Sequence, residues 1–248
     1  MSVALETEAV REVVASARPG ARARGYAPKG VCDRLAACVL LVPAAPLIAF
    51  LWMLVRLTSR GTGFYRQRRV GLEGREFMII KLRTMPADCE RQTGPVWATR
   101  QDSRATFLGS FLRTSHLDEL PQLWNVLRGE MSLVGPRPER PEIIARLVPE
   151  IPEYLNRLCV PPGVTGLAQL CNGPDRTLQD VRHKLCYDFL YLGRQSPWLD
   201  LRILLCTGLK VVGLNRPAIR RLLVPETQRG ADVGGRSGEQ YPAWSRTS

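Results

Sequence analysis

The sequence has few of the residues that zinc sites and disulfide frameworks need. Its 248 residues include two histidines and seven cysteines, with no Cys-x-x-Cys pair. This odd, unpaired set excludes a disulfide framework and a zinc ladder, and it favours a reducing compartment. His183 and Cys186 lie three residues apart, but no second pair matches them, so we interpret both as structural residues.

Acidic residues are scarce relative to basic ones. The chain has 35 Lys and Arg against 23 Asp and Glu, which gives a formal net charge of +12. The excess predicts an anionic partner, and nucleic acid, anionic lipid or a phosphorylated substrate would each satisfy it. A basic membrane-anchored protein that binds nucleic acid is the remote alternative, because the sequence has no recognition-helix, zinc or aromatic single-strand signature.

Charge is absent altogether from residues 35–55, LAACVLLVPAAPLIAFLWMLV. A straight helix of this length is roughly 30 Å long, enough to cross the hydrocarbon core. Two features favour a re-entrant helix over a crossing one. Pro43 and Pro46 remove backbone hydrogen bonds near the middle and are expected to break the helix, and basic residues flank both ends. The late start and the arginines that follow argue against a secretory signal peptide.

Two adjacent carboxylates, Asp118 and Glu119, stand where a helix is expected to begin. Apolar residues then recur at i, i+3, i+4 and i+7, which predicts one buried face formed by Leu120, Leu123, Trp124 and Leu127. Gly129 should end this helix. Its positive end would attract anions such as phosphate, although acids in a first turn are more often simple caps.

Basic residues from other segments would complete a diphosphate site. A predicted strand at 77–82 carries Lys81 and Arg83 at its end, Arg113 lies just upstream of the acid pair, and Arg137 lies in a rigid Gly-Pro-Arg-Pro turn. Lys and Arg neutralise phosphate oxygens. One carboxylate can hold Mg²⁺ that also bridges phosphates, and a second can attack phosphorus to give an acyl phosphate.

Five ordered motifs resemble the bacterial sugar transferases, the monotopic phosphoglycosyl transferases. The motifs, within a match over roughly 33–212, are FYRQRRVG at 64–71, IIKLRTM at 79–85, LDELPQLWNVLRGEMSLVGPRP at 117–138, PGVTGLAQ at 162–169, and the DxxY and SPWLDLRIL pattern at 188–205. The resemblance implies a re-entrant membrane helix and a small globule on the cytoplasmic face of the bacterial inner membrane. Both termini would then be cytoplasmic.

The resemblance also implies a two-step reaction. Asp118 matches the nucleophile that attacks the β-phosphorus of a UDP-sugar, releases UMP and holds the phosphosugar until polyprenyl phosphate takes it. Glu119 matches the Mg²⁺ ligand, and Asp118 is expected to belong to the same metal site. The implied substrate-binding residues are Lys81, Arg83, Arg113, Arg137 and Gln169. Downstream glycosyltransferases would use the product, no nucleic acid is involved, and a homodimer is an open alternative.

Composition and resemblance together divide the chain. We expect a flexible lead at 1–30, a re-entrant membrane helix at 31–58, a cytoplasmic catalytic domain at 59–214 and a flexible tail at 215–248. The predicted fold class is α/β, mostly α with a few short strands and with amphipathic helices at the interface. Residues 199–214 suit either a helix on the bilayer surface or a core helix. The stretch VPPGVTG at 160–166 predicts a type II turn with Gly163 at its third position.

Three departures from the family pattern motivate an alternative. Ala45-Pro46 replaces the common Ser-Pro at the helix break, and Pro161 replaces a common basic residue. The usual Asn-Gly-Arg is interrupted by Pro174 and Asp175. A catalytically degenerate member, which binds a nucleotide sugar or scaffolds a glycan complex without turnover, would also carry the five motifs.

Overall fold

The computed structural model describes residues 28–86, 89, 104–173 and 175–224. Most of the predicted N-terminal lead, the end of the predicted C-terminal tail and Pro174 lie outside these residues. The expectations for those segments therefore stay predictions.

The longest element is helix α1, Lys29–Thr58, which contains the whole charge-free segment. Its buried residues recur at intervals of four or seven and so share one face, and they are Lys29, Asp33, Ala37, Ala44, Leu51 and Val55. The other apolar side chains are largely exposed, with Val42 at 74% and Leu57 at 75%. Among the described residues, α1 is the one helix long and apolar enough to cross a membrane. It is suited to contact lipid on one side and protein on the other.

The predicted break at Pro43 and Pro46 does not divide α1 into two helices. Both prolines lie inside one continuous helix. Each lacks the N–H that would bond four residues back, but the neighbouring bonds keep the helix intact. Whether a bilayer bends this helix stays a prediction.

An antiparallel hairpin follows α1. Strands β1 (Phe64–Val70) and β2 (Glu76–Leu82) pair with Phe64 opposite Leu82. The prediction of a strand at 77–82 is confirmed. Leu82 is buried in a cluster with Leu51 and Val55 of α1, so the alternation of side chains turns Lys81 and Arg83 away from that cluster.

The acid pair lies in a 3₁₀ turn between two helices. Helix α2 (Phe107–Ser115) ends at His116, whose φ of 58° turns the chain sharply. The turn Leu117–Glu119 follows, and helix α3 (Gln122–Leu127) begins after Pro121. The prediction of a helix starting at Asp118 is therefore wrong by four residues.

The predicted buried face of this helix is also partly wrong. Trp124 is 50% exposed, while Asn125 and Val126 are buried in its place. The later start changes which side of the helix meets the core. Gly129, with φ of 79°, follows the helix as predicted.

A second, parallel pair consists of strands β3 (Ser132–Val134) and β4 (Gly163–Thr165). The predicted type II turn at Gly163 is wrong, because this glycine lies in β4 without a positive φ. A Cβ atom there would lie 2.1 Å from the backbone nitrogen of Gly135. Glycine is required at this position for close approach of two backbones.

Helices form the rest of the globule, which confirms a mostly α fold with a few short strands. They are α4 (Pro141–Leu147), a 3₁₀ helix (Pro152–Cys159), α5 (Leu167–Cys171), α6 (Leu178–Arg194), α7 (Pro197–Val211) and α8 (Arg216–Leu223). Helix α8 lies beyond the predicted boundary at 214. Its Ile219 and Leu223 are buried in the same core as α3 and β3, so the folded unit runs past the point where a flexible tail was expected.

Helix α7 has features of both predicted alternatives. Ile203 and Cys206 are buried in the core, whereas Trp198 and Leu205 are 67% and 59% exposed. Phe107, at the start of α2, is 98% exposed. These apolar side chains, uncovered in the described part of the chain, suit a bilayer surface better than water.

Candidate active site

Glu119 is held by two cations. Lys81 Nζ donates to Glu119 Oε1 at 2.8 Å, and Arg137 Nη2 donates to the same oxygen at 2.6 Å. Arg137 Nη1 lies 3.4 Å from the other oxygen, Oε2. Burial opposes ionisation of Glu119, but the charges of Arg137 and Lys81 and their hydrogen bonds hold its pKa well below its usual range. Glu119 is therefore a fixed carboxylate.

Asp118 has the opposite environment. It is 7% exposed, yet within the described residues its carboxylate makes no hydrogen bond or ion pair. Burial and the adjacent Glu119 charge raise its pKa to about 6, against the opposing charges of Lys81, Arg137 and Arg113. At neutral pH Asp118 is mostly ionised, and the described residues offer it no partner, which leaves its oxygens available to react.

Asn125 fixes the acid pair relative to Lys81. Its Nδ2 donates to the carbonyl of Met78 at 2.8 Å, and its Oδ1 accepts from the backbone nitrogen of Ile80 at 3.2 Å. One buried amide thus ties α3 to β2, the strand that carries Lys81. This contact explains why a polar residue is buried in the helix that follows the acid pair.

Arg137 is positioned through its own backbone. Arg157 Nη2 donates to the Arg137 carbonyl at 2.9 Å, and Arg69 Nη1 donates to the Pro138 carbonyl at 3.1 Å. The side chain of Gln169 also meets Arg137, with Nη1 and Oε1 3.4 Å apart. The turn that presents Arg137 is therefore clamped by hydrogen bonds from other segments.

The residues behind this turn form a second set of buried charges, here called the rear cluster. It consists of Arg69, Glu139, Arg157, Asp175, Lys184 and Asp188. Arg157 pairs with Asp188 at 2.8 Å, and Lys184 pairs with both Glu139 and Asp175. Sequence reasoning missed these as functional candidates. The only available signal was the position of Glu139, directly after the Gly-Pro-Arg-Pro turn.

The predicted substrate-binding residues do not all converge. Lys81 and Arg137 contact Glu119, Gln169 contacts Arg137, and the charge of Arg113 acts on Asp118. Arg83 does not join them. Its Nη2 donates to the carbonyl and hydroxyl oxygens of Ser59, both at 2.8 Å, at the end of α1.

The acid pair could supply part of a magnesium site whose other ligands come from the substrate and water. By itself it does not form a complete site. Among the described residues no three His, Cys, Asp or Glu side chains cluster as metal ligands. Mg²⁺ is commonly held by one or two carboxylates together with substrate phosphates and water. The unpaired Asp118 and the neighbouring Glu119 could supply those carboxylates once a diphosphate is present.

Comparison with known proteins shows the family to which the chain belongs. A family model described as bacterial sugar transferase matches residues 25–213, which include both acids and every predicted site residue. The chain belongs to the bacterial sugar transferase family. The predicted resemblance is thereby confirmed.

Three relatives show the range within this family. The chain is 41% identical over 187 residues to a UDP-glucose:undecaprenyl-phosphate glucose-1-phosphate transferase of Xanthomonas campestris pv. campestris, a match that covers 75% of this chain and 39% of the relative. It is 40% identical over 175 residues to a UDP-N-acetylgalactosamine-undecaprenyl-phosphate N-acetylgalactosaminephosphotransferase of Aeromonas hydrophila, covering 71% and 41%. It is 35% identical over 184 residues to the exopolysaccharide production protein PSS of Rhizobium leguminosarum bv. phaseoli, covering 72% and 92%.

These matches differ in extent as well as in the sugar named. The chain spans about two fifths of the first two bacterial sugar transferases and nearly all of the third. Two relatives of nearly equal identity carry different sugars in their names, so identity alone does not assign a donor sugar to this chain.

Proposed function

We propose that this protein transfers a sugar-1-phosphate from a UDP-sugar to polyprenyl phosphate and releases UMP. The observation that carries the proposal is the unequal pair of acids. Glu119 is held by Lys81 and Arg137, while Asp118 is buried, unpaired and poised to ionise near neutral pH. An inert carboxylate pair would not need one member left without a partner.

The reaction proceeds in two displacements. A carboxylate oxygen of Asp118 attacks the β-phosphorus of the donor, the bond from that phosphorus to the bridging oxygen breaks, and UMP leaves with both bonding electrons. An oxygen of polyprenyl phosphate then attacks the same phosphorus and regenerates the Asp118 carboxylate. The product is a polyprenyl-diphosphate-linked sugar, the first membrane intermediate of a glycan such as an exopolysaccharide.

The surrounding residues bind and neutralise the diphosphate. Arg137 and Lys81 supply cationic donors on the Glu119 side, and Gln169 keeps an enclosed amide Nε2 without a partner, ready for a phosphate or sugar oxygen. Mg²⁺ held by Glu119 and Asp118 would offset the charge of the diphosphate that the acids must approach.

The path of α1 supports a position on one membrane face. Near its start Ser132 Oγ donates to Asp33 Oδ2 at 2.6 Å, and near its end Val55 packs in a cluster with Leu82. Both ends thus contact one globule, whereas a crossing helix would have to carry one end away. This favours a membrane helix whose two ends both stay on the cytoplasmic face of the inner membrane, with both termini cytoplasmic.

Purified full-length protein with polyprenyl phosphate, Mg²⁺ and a panel of UDP-sugars tests the reaction. UMP should appear with at least one donor, and Asp118→Asn should lower its release by about 10³-fold or more. Glu73→Gln, an equal change of charge in the exposed hairpin turn, serves as the control. Chelation of Mg²⁺ should stop release reversibly. No UMP with any donor would instead support the degenerate alternative.

Topology has a separate test. Single cysteines placed near residues 20 and 235 of a cysteine-free variant should both be protected from an impermeant thiol reagent in intact cells. Labelling of one tail from the outside would contradict the proposed path and indicate a crossing helix.

A further inference from the structure

Arg83 is a buried cation that no carboxylate among the described residues compensates. Its side chain is enclosed, with 5% of the residue exposed, and its two contacts, both from Nη2, are with the neutral oxygens of Ser59. Nε and Nη1 are shielded from water and have no hydrogen-bond partner in the described part of the chain. Burying a charge without a counter-ion is costly, so a residue of this kind calls for an explanation.

A second uncompensated arginine lies beside it. Arg56, in the last turn of α1, donates to the carbonyl of Gly61 at 2.9 Å and lies 5.8 Å from the ring centre of Trp52. Within residues 28–86 and the other described ranges it pairs with no acid. Burial lowers the pKa of Arg83, and the Arg56 charge lowers it further. The two guanidinium groups therefore repel each other, and an anion between them would relieve that repulsion.

The position of this pair points to a lipid anion. It lies where the apolar helix ends, and the Trp52 and Phe64 rings nearby, 6.3 Å apart, are of the kind enriched at membrane interfaces. Arg83 directly follows β2, two residues beyond Lys81, and its backbone nitrogen still bonds to the Gly63 carbonyl at 2.9 Å. The extended chain therefore places it roughly 7 Å from Lys81 and on the same side. Since Lys81 contacts Glu119, Arg83 lies between the end of the membrane helix and the acid pair.

We propose that Arg83, assisted by Arg56, binds the phosphate group of a lipid at the end of α1. Arginine suits this role because its planar fork can donate two hydrogen bonds to one phosphate. Resting on the proposed function, the lipid is polyprenyl phosphate, held here as it approaches Asp118. The Ser59–Gly63 connection must shift to admit it, and Gly61 provides backbone freedom there.

Binding, not turnover, is the primary test. Full-length protein in neutral mixed micelles is titrated with polyprenyl phosphate and, separately, with phosphatidylglycerol. Arg83→Gln should weaken polyprenyl phosphate binding by about tenfold or more, since a hydrogen bond to a charged group is lost, and should leave phosphatidylglycerol and UDP-sugar binding unchanged. Arg68→Gln, the same substitution at an exposed position of the same hairpin, should change none of them.

The other outcomes are equally informative. Equal weakening for both lipids would overturn the acceptor assignment and identify a phospholipid headgroup site. Unchanged binding of both would overturn the proposal altogether. If Arg83→Gln fails to fold, Arg56→Gln at an exposed position replaces it, with an expected loss of about threefold. Because binding is read without chemistry, a failure to release UMP would refute the proposed function and leave this result intact.

Discussion

Two sets of buried charges meet at the turn that carries Arg137. They differ in whether every carboxylate has a cationic partner. In the rear cluster each carboxylate has a cationic partner, as Asp188 has Arg157 and Glu139 has Lys184 and Arg69. In the acid pair Glu119 is matched in the same way, but Asp118 is not. Burial of charge is common to both sets. The imbalance, not the burial, distinguishes the set that is expected to react.

The two sets are also connected. Arg157 donates to the backbone carbonyl of the residue whose side chain reaches Glu119. The rear cluster therefore holds the turn from behind, while the acid pair receives its arginine from the front. A balanced network suits this role because its charges already satisfy one another and do not compete for a substrate phosphate.

The largest expected effect is that of Asp118→Asn, in which activity and stability should change in opposite directions. This variant should lose turnover and yet gain stability, on the order of 1–3 kcal/mol at pH 7. The sign follows from the raised pKa of about 6: the folded state disfavours the ionised carboxylate, so stability is lost as pH rises past the unfolded value. Chemical unfolding of both proteins at pH 7 measures the difference. A marked destabilisation would mean that Asp118 has a structural partner.

Asp188→Asn tests the rear cluster and should act in the opposite direction. It leaves Arg157 buried without its carboxylate and should destabilise the fold by about 3–5 kcal/mol, as breaking buried pairs usually does. Unfolding followed by tryptophan fluorescence measures this loss. A paired Arg157→Met and Asp188→Leu variant is the control, and it should recover much of the stability because no lone charge remains. An unaffected Asp188→Asn variant would contradict the role assigned to the pair.

The pH dependence of UMP release tests the imbalance itself. Because Asp118 must be ionised to attack, kcat/KM for the donor should fall about tenfold per pH unit below roughly pH 6. Arg137→Gln removes a charge that lowers the pKa of Asp118, so its acid limb should move to higher pH. Pre-steady-state release of UMP across pH 4.5–8, measured at about one point per half pH unit, gives the acid limb of the unaltered protein and of Arg137→Gln. If kcat/KM of the unaltered protein fell only below about pH 4, burial would not raise the pKa of Asp118.

Local signals in the sequence predicted much of this molecule. The run FMIIKL predicts β2, the apolar stretches predict α1 and α7, and the two adjacent acids mark the candidate site, although they were expected to begin a helix. These features depend on residues a few positions apart, so period and composition reveal them. The exact start of α3 was missed because Pro121 and His116 together favour a 3₁₀ turn before the helix.

Long-range contacts were beyond such signals. Two partners of Arg157 lie 20 and 31 residues away, and the crowding at Gly163 comes from Gly135, which directly follows β3. Arg83 was predicted to lie with Lys81 at the donor phosphates, since both end one strand. The strand instead carries it past the acid pair to the end of α1. Only the packed structure determines which cation meets which anion.

The smallest expected effect comes from Tyr154→Phe. The tyrosine hydroxyl accepts a hydrogen bond from Arg157 Nη1 at 3.0 Å. Without it, Arg157 still donates to Asp188 and to the Arg137 carbonyl. We expect about 1 kcal/mol lower stability and no movement of the acid limb. Unfolding and the pH profile are measured on the same preparation. If the acid limb moved, Tyr154 would act on Asp118 through the Arg137 turn. The rear cluster would then affect the reaction as well as the stability of the fold, against the distinction drawn between the two sets of charges.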